Sequence, residues 1–65
     1  MTINDLLNNL VNIDGVVEIK TWNGEGYNNI YSGTICGSPE EARNKDIKYI
    51  YAEGNKLVIE IEKMF

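Results

Sequence analysis

Residues 47–61 read "IKYIYAEGNKLVIEI". Two runs of β-branched and aromatic residues flank Gly54-Asn55, a two-residue turn of the kind that closes a β-hairpin. Such a turn pairs Glu53 with Lys56, a favourable contact between opposite charges. The register then follows, with Ala52 opposite Leu57, Tyr51 opposite Val58 and Ile50 opposite Ile59. Side chains alternate across a strand, so one face should carry Ile50, Ala52, Leu57, Ile59 and Ile61. This is the expected core. The second face should carry Ile47, Tyr49, Tyr51, Val58, Glu60 and Glu62.

The stretch before the hairpin, "GSPEEARNKD" (37–46), predicts a short helix. Ser38 is the expected N-cap, and Pro39 stands where its missing N–H costs nothing. Glu40 and Glu41 suit the positive end of the helix dipole, and Asn44 is the expected stop. Further back, "VVEIKTW" (16–22) and "YNNIYSGTIC" (27–36) flank the turn cluster "NGEG" (23–26) and predict a first hairpin. A four-residue loop would pair Trp22 with Tyr27 and Glu18 with Tyr31. Val17, Ile19 and Ile30 then point inward, while Trp22, Tyr27 and Tyr31 join the second face. A bend or bulge is expected at Gly33. The opening "TINDLLNNLVN" (2–12) places Ile3, Leu6, Leu7 and Leu10 on one helical face. Thr2 and Asp5 form a capping pair, and Asp14-Gly15 should end the helix. The expected fold is α+β over residues 1–65 as one domain. An N-terminal helix packs on a four-stranded antiparallel meander sheet, with a short helix between strands two and three.

Ten acids against six bases give a net charge of −4, which argues against long nucleic acid and anionic membrane as partners. No apolar run approaches the ~20 residues that span a bilayer. With no histidine and one cysteine, Cys36, neither a structural zinc site nor an internal disulfide is expected, and no cofactor is implied. The lone thiol suits a reducing compartment, and the expected location is the cytoplasm. A chain this short buries only about 60% of its unfolded surface, so self-association is an expected source of stability. The second face, rich in Tyr and Trp, would supply the interface of a homo-oligomer through Tyr27, Tyr31, Tyr51 and Val58. Three of the six bases, Arg43, Lys45 and Lys48, fall within six positions. Arg grips phosphate bidentately and aromatic rings stack on bases, so these three with Trp22 and Tyr49 form a candidate site for a compact anionic nucleotide. The alternative is a solvated helix end with cations at its negative pole. No catalytic constellation is present, and Cys36 has no histidine to activate it, so an inert, partly buried thiol is expected. The expected class is a non-enzymatic binder.

The segments "INDLLNNL", "VVEIKTW", "YSGTI" and "SPEEARNKDIKYIYAEGNKLVIEI" together resemble small proteins encoded by phages and prophages of low-GC Gram-positive bacteria. The shared ending is I-x-x-I-x-A-x-x-N-x-L-V-I-x-I, filled here by Ile47, Ile50, Ala52, Asn55, Leu57, Val58, Ile59 and Ile61. The "INDL" opening is similar to that of a prophage type II anti-CRISPR protein. Several proteins of this type counter host defence. The resemblance therefore implies an anti-defence binder, acting either as a sponge for a signalling nucleotide or as a direct inhibitor of a host defence protein. A structural or regulatory phage subunit without a ligand is the third reading.

Overall fold

From Tyr49 to Glu60 the second hairpin forms in the expected register in the computed structural model, which describes residues 1–8 and 14–63. Strand β3 (Ile47–Glu53) turns at Gly54-Asn55 into β4 (Lys56–Ile61), with Glu53 opposite Lys56, Tyr51 opposite Val58 and Ile50 opposite Ile59. Gly54 has φ +64°, a conformation that favours glycine. The other elements are α1 (Ile3–Asn8), β1 (Val16–Trp22), β2 (Tyr27–Gly33), a 3₁₀ turn (Ile35–Gly37) and α2 (Glu40–Arg43). The fold is α+β, with one four-stranded sheet and two short helices.

The sheet is mixed and is not the expected antiparallel meander. Its order is β2-β1-β4-β3, and β1 runs parallel to β4. A meander would have left "VVEIKTW" and "KLVIEI", the two most apolar strands, at the edges. The observed order puts them side by side in the middle, where each has a neighbouring strand on both sides. Val17 opposes Leu57 and Ile19 opposes Ile59, and the side chains of Val17, Ile19, Ile59 and Ile61 are wholly buried. The Asn-rich β2 and the Tyr-rich β3 take the edges. Residues 34–46 then run from one edge to the other across the core face. The 3₁₀ turn and α2 lie on this path, and residues 34–36 do not continue the second strand.

The core joins Ile3 of α1, Ile35 of the 3₁₀ turn and Ala42 of α2 to Val17, Ile19, Ile59 and Ile61. All the described helical segments therefore lie on one face of the sheet. Leu7, Ile30, Tyr31, Ile47 and Leu57 pack at the margin. Leu10 and the expected end of the first helix fall on residues 9–13, outside the described residues. Thr2 and Asp5 cap α1 reciprocally, each backbone N–H donating to the other's side-chain oxygen at 3.1 and 2.9 Å. Asn4 Nδ2 donates to Asn44 Oδ1 at 2.6 Å, which ties α1 to the C-cap of α2.

Several face assignments are overturned. A bulge at Ile30, not at Gly33, shifts the first hairpin, so Ile19 opposes Tyr31 and Glu18 opposes Ser32. Tyr31 consequently turns to the core side, because one extra residue reverses every later side chain. Its hydroxyl donates to the Thr34 carbonyl at 2.7 Å and lies against Gly33 and Gly37. A second bulge at Lys48 sets Ile47 opposite Ile61, on the core side and not on the second face. Ile50 and Ala52 face the core side in register but lie beyond the helices' reach, and both are exposed. Ser38 is not the N-cap of α2. That position is Pro39, while the buried Ser38 hydroxyl donates back to the Ile35 carbonyl at 2.6 Å.

Candidate functional site

The face opposite the helices is covered by no described element. Its floor is the central pair β1/β4, whose parallel register sets Glu18 beside Val58 and Lys20 beside Glu60. Its walls are edge-strand residues, Tyr27, Asn29 and Ser32 from β2 and Tyr49, Tyr51 and Glu53 from β3. Trp22, Tyr27, Tyr49, Tyr51 and Val16 are large exposed hydrophobic residues on this side. The expected open aromatic face is thus present with four aromatic residues, Tyr31 having turned away.

The side chains on this face are already mutually engaged. The Lys20 amine sits 4.4 Å from the centre of the Tyr27 ring and 5.4 Å from that of Tyr51. The Tyr51 side chain beside it, an acceptor for the ammonium, favours the charged form of Lys20 and raises its pKa above the ordinary value, with the charges of Glu18 and Glu53 adding to the effect. The Tyr27 ring lies over Lys20 of β1, and the Glu60 carboxylate beside its hydroxyl, an acceptor for the phenol proton, raises the Tyr27 pKa above the ordinary value. Glu60 is only 4% exposed. Trp22 meets Tyr27 edge to face, with ring centres 5.1 Å apart at 69°. Lys56 reaches across to Glu18 at 2.6 Å, and Asn29 Nδ2 also donates to Glu18 at 2.9 Å. The Lys56 hydrogen bond lowers the Glu18 pKa, and the reciprocal bond raises that of Lys56. Glu53 is in register with Lys56, but Lys56 makes its ion pair with Glu18 of β1.

The central strands therefore present two cations and two anions rimmed by aromatic rings: Lys56 is ion-paired with Glu18, and Lys20, in register with Glu60, lies over the Tyr27 and Tyr51 rings. Partnered charges need no counter-ion from a docking molecule, and Tyr and Trp offer large area with a polar tip. The Glu18–Lys56 ion pair and the Lys20–Glu60 register are not legible when strands are paired only within hairpins, which place Glu60 on the second face and Lys56 beside Glu53. The signal is the match of "VEIK" (17–20) to "LVIE" (57–60) as parallel partners, visible only once β1 and β4 are known to be neighbours.

The proposed nucleotide residues are not assembled into one site. Arg43, half-buried, ends α2 on the helix side, and its Nε is buried without a hydrogen-bond partner. Lys45 follows α2 and is half-buried, while Lys48 occupies the β3 bulge and is exposed. Trp22 and Tyr49 lie on the other face, on β1 and β3 with β4 between them. Of the expected interface set, Tyr27 and Tyr51 are exposed on the open face, Val58 is fully buried in its floor, and Tyr31 belongs to the core side. Cys36 is exposed rather than partly buried. Among the described residues, no cluster of metal-ligating side chains occurs, and no helix is long and apolar enough to cross a membrane. In comparisons with known proteins, the chain matches no family model, no curated protein and no solved structure.

Proposed function

We propose that this chain is a non-enzymatic binding protein whose open sheet face docks on a protein partner, and that the partner is a host defence protein inhibited by this contact. The observation that carries the reading is the face itself. Trp22, Tyr27, Tyr49 and Tyr51 are exposed around the Glu18–Lys56 ion pair and a Lys20 held over aromatic rings. Interfaces are enriched in Tyr and Trp, and a pre-paired charge set lowers the cost of desolvation on docking. The resemblance to phage and prophage anti-defence proteins supplies the class of partner. The nucleotide-sponge reading is the weaker one, because Arg43 and Lys45 stand on the helix side and the aromatic rings on the other.

The test places a photo-reactive aromatic amino acid at Tyr49, and separately at Lys45, in host cells. A single host protein cross-linked from position 49 and not from 45 is the expected result. Reconstitution with that protein should show affinity weakened about tenfold or more by Trp22→Ala, equivalent to ~1.4 kcal/mol. Calorimetry against cyclic di- and trinucleotides and ADP-ribose derivatives provides the opposing outcome. Tight binding abolished by Arg43→Ala would overturn the protein-docking reading and favour the sponge.

A further inference from the structure

We infer that the free edge of β3 pairs with the β3 edge of a second copy, joining two sheets into one of eight strands. β3 is one of the two edges of the sheet, and from Lys48 to Glu53 every residue is exposed, whichever face it points to. Ile50 is 43% exposed on the core side, and Tyr49 and Tyr51 are 62% and 40% exposed on the open side. The opposite edge is different. On β2, Ile30 and Tyr31 pack against the core, and Asn29 is bonded to Glu18 and Ser32.

The backbone is also prepared for pairing. The two-residue turn makes Glu53 and Lys56 a hydrogen-bonded pair, so by alternation Tyr51 also turns its N–H and C=O toward β4. Ile50 and Ala52 then point theirs at the free edge. An exposed, apolar edge of this kind is a template for another strand, and natural sheets blunt such edges with charge, proline or bulges. Here the bulge and its charge stand at Lys48, at one end, which leaves Tyr49–Glu53 regular.

The midpoint of that regular stretch is Tyr51. A twofold axis through it, perpendicular to the sheet, sets Tyr51 of one copy against Tyr51 of the other, Ile50 against Ala52, and Tyr49 against Glu53. Ile50 and Ala52 satisfy each other's outward amides and carbonyls, and the tyrosines form a close cross-strand aromatic pair. The antiparallel sense brings the Lys48 end of each strand beside the Glu53 end of its partner, so opposite charges meet. Both open faces then lie on the same side as one continuous surface. The inference is independent of the proposed partner of that surface, because the pairing uses the edge and not the face.

A strand pair buries area at the low end of specific interfaces, so the dimer should form in the micromolar range. Sedimentation and amide hydrogen exchange on the intact wild-type chain test this across a dilution series. The expected result is a dimer at high concentration, with exchange at Ile50 and Ala52 slowed about tenfold or more while the β2 amides are unchanged. Ile50→Lys should give a monomer at all concentrations, and Trp22→Ser should leave the dimer intact. A wild-type monomer throughout, or exchange at Ile50 and Ala52 independent of concentration, would overturn the inference. So would a dimer that survives Ile50→Lys and is lost in Trp22→Ser. The wild-type exchange measurement decides the matter even if a variant fails to fold.

Discussion

Substituting Gly33 by alanine tests the bulge that turns Tyr31 inward. Gly33 has φ +148°, a region that L side chains rarely adopt. A Cβ at this position would lie 2.6 Å from the Tyr31 hydroxyl oxygen and 3.0 Å from its Cζ, which is too close for either to stay in place. The ring cannot swing freely, because its hydroxyl is bonded to the Thr34 carbonyl and its body packs at the core margin. Two costs therefore combine. Backbone strain costs about 1–3 kcal/mol, and displacing the hydroxyl loses a hydrogen bond worth about 1 kcal/mol. The expected loss is about 2–4 kcal/mol, in a domain whose length implies a total of roughly 3–10 kcal/mol. Urea denaturation followed by circular dichroism measures it. The same substitution in a Tyr31→Ala background should cost less, since only the strain remains. Additivity of the two substitutions, or a Gly33→Ala cost below about 1 kcal/mol, would refute the placement of Tyr31 over Gly33.

Ile59 is wholly buried, so Ile59→Ala should cost about 2–5 kcal/mol. Ile50→Ala, at an exposed edge position, should cost under about 1 kcal/mol by the same denaturation assay. Glu18 has a folded pKa below its ordinary 4.5, so its contribution is present above that value and declines as pH falls through the lower folded value. Glu18→Gln should therefore flatten the fall in stability measured below about pH 4.5.

The local grammar of the chain was legible without coordinates. Thr2 and Asp5 announce the capping box because they sit three residues apart at a helix start. Gly54-Asn55 sets the second hairpin because a two-residue turn admits one register, and Trp22 opposite Tyr27 follows from the first turn in the same way. Val17, Ile19, Ile59 and Ile61 identify themselves as core by alternation alone. For the candidate site, alternation around the two turns placed Trp22, Tyr27, Tyr49 and Tyr51 together on one open face.

Only the tertiary structure decided which strands are neighbours across the middle of the sheet. Hairpin rules act over a few residues, whereas β1 and β4 meet across much of the chain, where Val17, Ile19, Ile59 and Ile61 are buried together under the helices. That pairing creates the Lys20–Glu60 and Glu18–Lys56 relations of the open face. The bulges at Ile30 and Lys48 were equally hidden, since each adds a single residue whose local sequence looks like ordinary strand. Their effect is large because a strand has period two. One extra residue moved Tyr31 and Ile47 from the open face to the core side, and with Tyr31 went part of the expected interface. What residues near in sequence can settle between themselves was readable from the chain; what depends on competition for the buried centre of the sheet was not.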